Sequence, residues 1–180
     1  EMCIRDRPWR YRNKSQIPVG KDKDNKAIMG FYRQRSHDII DMDSCLIQDE
    51  QHQNIMNYVK HWFNELNMSI YDEKNKRGLM RHLVIRTGYH TDEIMVIFVT
   101  NGKKFKNANV LVQKLISEFP NITSIKQNIN DTHSNVIMGP QSVTLYGKDK
   151  IVDELSEVTF NIPDQSFYQI NSAQTEKLYQ

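Results

Sequence analysis

Apolar residues return at helical spacing in two stretches of the chain. Ile55, Val59, Trp62, Phe63 and Leu66 predict a helix from about Asp49 to Leu66 that lays one apolar stripe on a sheet. Val110, Leu111, Leu115, Ile116 and Phe119 predict a second helix within Phe105 to Phe119, stopped by Pro120. Elsewhere the pattern is that of strands. "YRNKSQIPV" and "AIMGFYRQRS", joined by the polar "KDKDNK", predict a hairpin, and "SHDIIDMDSC" continues extended as far as Cys45. "GLMRHLVIRTGY" and "DEIMVIFVTN" predict a second hairpin between Arg81 and Asn101. "ITSIKQNIN" reads as a strand, "SNVIMGPQSVTLYG" as a strand pair turning at Gly139-Pro140, and "EVTFNIPDQSFYQIN" ends in another strand-like run. Asn171, with Gln174 three residues on, is placed to cap a last helix in "NSAQTEKLY". The pattern is α+β, with a mostly antiparallel sheet and two main packed helices.

Composition narrows the class. With 38% hydrophobic and 26% charged residues in 180, the chain reads as globular rather than disordered. Its longest apolar run, "IMVIFV", is far shorter than the roughly 20 residues of a membrane-spanning helix. The opening "EMCIRDRPWRYRNK" has no apolar stretch behind its arginines, as a secretory signal requires, and a cytoplasmic location is expected. Two cysteines, Cys3 and Cys45, do not make a disulfide framework. Residues 1–7 read as a non-native or disordered leader. Net charge is only +2, but ten Lys and Arg against four Asp and Glu stand up to His37, so the positive charge lies at the front.

Candidate chemistry is sparse. The six histidines form no HxxxH or HxxH pair, and with Cys45 they make no recognisable zinc set. There is no GxSxG elbow, no Walker loop and no GxGxxG turn. The front of the chain offers more. In "PWRYRNK", Arg10, Arg12 and Lys14 alternate with Trp9, Tyr11 and Asn13, which in a strand puts the basic side chains on one face and the aromatics on the other. "FYRQRSH" repeats the device with Arg33 and Arg35. Such faces suit a phosphate backbone and stacked bases, and also suit an exposed edge strand with no partner. In "SFYQIN", aromatic and apolar residues alternate with Gln169 where a core strand would carry Val or Leu.

Taken in order, "PWRYRNKSQIPV", "GFYRQRSHDIIDMDSCLIQ", "GLMRHLVIRTGY", "IMVIFVTN", "ITSIKQNIN", "NVIMGPQSVTLYG" and "FNIPDQSFYQINSAQTEKLY" resemble the middle of the RNA (uracil-5-)-methyltransferases, in particular members acting on 23S ribosomal RNA. The resemblance covers nearly everything after Pro8. It implies a small barrel upstream, a central α+β domain over residues 8–161, and the truncated start, 162–180, of a Rossmann-like domain that binds S-adenosylmethionine. It further implies a [4Fe-4S] cluster with Cys45 at the position of the fourth cysteine ligand; Cys3 is at the wrong spacing for the other three. "FYQIN" matches the family's F-x-Q-x-N motif, where Gln169 contacts S-adenosylmethionine and Phe167 lies near the target uracil. Arg10, Arg12, Lys14, Arg33 and Arg35 are then contacts to ribosomal RNA. Formation of 5-methyluridine through a covalent cysteine adduct belongs to the parent protein, with nucleophile and base expected after Gln180, so this piece alone should be inactive. The last helix, lacking its docking surface, should fray. Two alternatives stand beside this reading: a non-catalytic RNA-binding module, and a tRNA-directed relative.

Overall fold

The structure, a computed structural model, describes residues 9–179; the leader and Cys3 lie outside them. Asp49 begins the first helix, α1 (Glu50–Glu65), its carboxylate accepting from the Gln51 backbone N–H at 2.8 Å. The predicted stripe is the buried face: Ile55, Met56, Val59 and Phe63 are inaccessible to solvent, each such burial being worth about 1.5–3 kcal/mol. The second helix, α2 (Ala108–Glu118), buries Leu111, Val112 and Leu115.

These helices pack on one face of a seven-stranded sheet. Its strands are β1 (Lys14–Lys21), β2 (Ala27–Tyr32), β3 (Ile39–Asp41), β4 (Met80–Thr87), β5 (Ile94–Thr100), β6 (Ile122–Ile129) and β7 (Gln141–Gly147), ordered β3-β2-β1-β4-β5-β6-β7. Every pairing is antiparallel except β5 with β6, which α2 joins as a crossover. Strands β4 and β5 are buried at every position, so the sheet centre is covered on both faces. Ile94, Val96 and Phe98 meet the helices, whereas Met95, Ile97 and Val99 face a second, smaller core with Val84, Ile151 and Ile162.

That second core is closed by a layer the sequence pattern only partly foretold. A separate hairpin, β8 (Ile151–Leu155) with β9 (Val158–Ile162), lies over it, and the strap 163–171 follows. Strand β8 was not expected. Two expected strands are absent: 134–140 and the "SFYQIN" run pair with no strand. In the first, side-chain amides replace a ladder, Asn130 donating to the carbonyls of Val136 and Ile137 and Asn128 donating to Gly139. Gly139 sits so close that an added Cβ would lie 1.8 Å from the Ile129 carbonyl oxygen, which only glycine permits. The last helix, α3 (Ser172–Tyr179), is docked rather than left bare: the Asn171 side chain caps it through the Gln174 N–H at 3.2 Å, and Glu176 meets His90 at 2.6 Å.

Two buried histidines link the fold to pH. His52 on α1 is wholly buried between the hydroxyls of Ser15 (β1) and Thr87 (β4), each at 2.7 Å, which a neutral ring satisfies with one donor and one acceptor. Burial lowers its pKa from 6.5 to about 3; burial, then the neighbouring Arg81 charge, lowers that of His82 to about 4. Between those values and 6.5 the unfolded chain binds the extra protons, so stability is full above pH 6.5 and falls as pH drops, by up to about 1.4 kcal/mol per unit for each ring. Urea unfolding at pH 7, 6 and 5 should show this decline, and His52→Gln should remove close to half of its slope. A flat wild-type profile over that interval would contradict the assignment.

Candidate functional site

Lys14 and Arg86 sit opposite each other where β1 begins and β4 ends. Both project from the face that carries the smaller core, as their register with Met95 shows. Arg86 is 3% exposed, and its guanidinium donates to three carbonyls of the strap: Pro163 at 2.7 Å, Asp164 at 3.0 Å and Ser166 at 2.9 Å. One residue before Lys14, Asn13 donates from its side chain to the Gln169 carbonyl at 2.7 Å and to the Ser172 hydroxyl at 2.8 Å, while its backbone N–H reaches the Ile170 carbonyl at 3.0 Å. The basic front of the chain and the "FYQIN" motif thus meet, although about 156 positions separate them.

Within the strap, orientation alternates. Tyr168 points inward, packs on the smaller core and donates its hydroxyl to Asp153 at 2.8 Å; burial and then the Asp153 carboxylate hold its phenol well above the usual range. Phe167 and Gln169, its neighbours, are exposed, Phe167 at 85%. An amide and an aromatic ring are therefore presented side by side on a backbone tied down at both ends. The strap makes no ladder, so the expected strand is corrected to an extended segment held by side chains.

The predicted basic residues separate. Arg12 and Lys14 stay on either side of Asn13, half-buried, and among the described residues no hydrogen bond or ion pair engages either side chain. Burial, then the positive charges of Arg86 and Arg12, hold the Lys14 amine below the usual lysine range. Arg10 does not join them. Its backbone turns to φ 56°, and its guanidinium is directed to the Cys45 and Gln48 carbonyls at 3.5 and 3.4 Å, so the expected common face for Arg10, Arg12 and Lys14 does not form. Arg33 and Arg35 are exposed in the turn after β2, which lies by the β1–β2 turn: His37 meets Glu73 at 2.9 Å and Ile39 packs on Gly20, so neither arginine gathers with Lys14 at the other end of β1. Arg33 also borders a groove of about 1110 Å³ with Tyr32, His37, Tyr71 and His82.

Cys45 is half-buried ahead of α1, and its carbonyl accepts from the Gln53 side chain. Among the described residues no three His, Cys, Asp or Glu side chains converge as a metal set. One thiol does not fit a four-thiolate cluster, so these residues cannot hold one by themselves. Asn13 and Arg86 escaped the sequence reading. The signal for Arg86 was available, since an arginine follows directly on the apolar run Leu83-Val84-Ile85 in a strand whose neighbours predict burial.

The strap is anchored further by Lys126 on β6, whose ammonium meets Asp164 at 3.2 Å and Asp149 at 2.8 Å. Burial opposes the charge of Lys126, but both carboxylates outweigh it and its pKa rises. Lys126→Met leaves the buried Asp164 carboxylate without its cation. The substitution should cost about 3–5 kcal/mol in urea unfolding, and adding Asp164→Asn should recover much of the loss; a cost below 1 kcal/mol would show that the pair does not anchor the strap.

No family model matches the chain. Among curated proteins it is 78% identical, over 96% of its own length, to an uncharacterized RNA methyltransferase of Staphylococcus epidermidis, and 73% identical, again over 96%, to one of Staphylococcus aureus. It spans 38% of the length of each. Its fold matches the crystal structure of the Pyrococcus abyssi tRNA (uracil-54, C5)-methyltransferase in complex with S-adenosyl-L-homocysteine. There the TM-score is 0.78 at 26% identity, covering 96% of this chain and 40% of the other. Described helices include none long and apolar enough to cross a membrane. By sequence and by fold, this chain is similar to a segment of the RNA methyltransferases, which bears out the resemblance read from its motifs.

Proposed function

We propose that this chain is the central portion of an S-adenosylmethionine-dependent RNA (uracil-5-)-methyltransferase, supplying RNA contacts and one cofactor contact. The observation that carries the reading is the juxtaposition made by Asn13: flanked by Arg12 and Lys14, which no hydrogen bond or ion pair engages among the described residues, it holds the Gln169 carbonyl of a strap on which Phe167 and Gln169 are exposed. Arg12 and Lys14 position a phosphate, Phe167 offers a stacking face to an unstacked uracil, and the Gln169 amide offers S-adenosylmethionine a donor and an acceptor. Arg33 and Arg35 stand apart, by the β1–β2 turn, and would meet a different stretch of RNA; Arg10 contributes through the backbone it holds. In the parent protein the uracil ring is activated by a covalent cysteine adduct, and that nucleophile lies outside these residues.

Ribosomal RNA is the substrate this reading favours, because Cys45 occupies the place of a [4Fe-4S] ligand in members that act on it. The other thiolates would have to come from outside the described residues. A tRNA substrate is the second reading, favoured by the name of the structural neighbour.

The test uses the full-length protein. Arg12→Ala with Lys14→Ala should weaken RNA binding at least tenfold and lower the slope of log K against log salt by about two, one for each cation removed. Gln169→Ala should weaken S-adenosylhomocysteine binding while leaving RNA affinity within about twofold. Unchanged RNA affinity in the double variant overturns the phosphate role. Methyl transfer to a ribosomal transcript but not a tRNA transcript, or the reverse, decides the substrate.

A further inference from the structure

Arg86 and Asn13 are neighbours in space as well as in role: Lys14 pairs with Arg86, and the Thr87 N–H donates to the Asn13 carbonyl at 2.9 Å. From this one point on the β1–β4 ladder, six hydrogen bonds reach the strap and the first residue of α3. Arg86 supplies three, to 163, 164 and 166; Asn13 supplies three, to 169, 170 and 172. Between the two sets lie Phe167, Tyr168 and the Gln169 side chain. Tyr168 is pinned inward by Asp153, and a chain fixed at 166, 168 and 169 must turn its side chains at 167 and 169 to the other side.

The bonding of Arg86 is unusual for a buried cation. No carboxylate lies within ion-pair distance among the described residues, although Asp164 is close enough to favour its charge; burial lowers its pKa to about 10, which leaves it charged at neutral pH. Its donors are spent on carbonyls of successive strap residues, and the planar fork is what allows one side chain to reach three of them. A lysine at this position retains the charge but not the fork.

We infer that Arg86 and Asn13 are positioning residues that set the aim of Gln169 and Phe167, acting through the strap backbone rather than touching cofactor or RNA themselves. The inference rests on the cofactor role proposed for Gln169.

The experiment compares Arg86→Lys, Asn13→Ala, Gln169→Ala and the double variant Arg86→Lys/Gln169→Ala in full-length protein, by calorimetric titration with S-adenosylhomocysteine. Arg86→Lys should raise Kd at least tenfold. In the double variant the effect should fall well short of the product of the single effects, because a misaimed amide has little left to lose. A merely structural role predicts a lower melting temperature with an unchanged Kd for the folded fraction, or losses that multiply; either result overturns the inference. Asn13→Ala gives the same reading from the other end of the strap should Arg86→Lys not fold. If Gln169→Ala binds normally, the cofactor role fails independently of the clamp. Amide exchange at Phe167 to Asn171 in Arg86→Lys then decides: tenfold or greater acceleration supports the clamp, and unchanged protection removes it.

Discussion

Strands β4 and β5 have no solvent-facing side, and the rest of the architecture answers that constraint. One face is met by α1 and α2 chiefly with apolar side chains, His52 being the polar residue seated between β1 and β4. The other carries Arg86, Lys126 and Asn128 around a small apolar patch, so its cover must supply acceptors as well as hydrocarbon. Hairpin β8–β9 provides much of the hydrocarbon, and the strap provides backbone carbonyls and the Asp164 carboxylate. The strap is therefore where it is because buried donors need it there. The outward aim of Phe167 and Gln169 follows from how its inner side is satisfied.

The two buried cations are matched by different means. Lys126 is held by carboxylates, an arrangement in which removing either partner strands a charge in a poorly hydrated place. Arg86 is held by neutral carbonyls, which fix direction as well as charge because each carbonyl belongs to a different peptide unit. The first arrangement anchors the strap at one side chain, whereas the second determines its path. The Pyrococcus abyssi enzyme, at 26% identity, keeps this fold with a TM-score of 0.78, as expected where register and cover, rather than individual apolar residues, specify the structure.

What could be read from the residues was what depends on local period. Helix α1 came out within a residue of its ends because an aspartate cap and a five-residue apolar stripe agree. The first two hairpins and α2 followed for similar reasons. Short β8 failed because "IVDEL" is brief, acidic and pairs only with its own neighbour β9. The segment 134–140 failed for a different reason: amides from Asn128 and Asn130 take the place of a partner strand, and no period records that. "SFYQIN" alternates like a strand because its inner and outer sides differ, yet its backbone is bound by side chains and not by a ladder. Period two reports facing, and says nothing of the partner.

The site was legible in its residue types and illegible in its grouping. Alternation placed Arg10 with Arg12 and Lys14, but a left-handed backbone at Arg10 removes it from that face, a change no spacing rule foresees. Lys14 and Lys126 then show why grouping matters. Both lysines lose hydration; acids raise the pKa of Lys126, while Arg86 and Arg12 add to the lowering at Lys14. A lysine held among arginines with no acceptor among the described residues is an electrostatic cost to the folded chain, and under the proposed role a bound phosphate would relieve part of that repulsion. The fold could avoid that cost by placing one carboxylate nearby, as it does at Lys126. It does so nowhere around Arg12 and Lys14 among the described residues, which is why the open charge is read as belonging to a ligand rather than to the core.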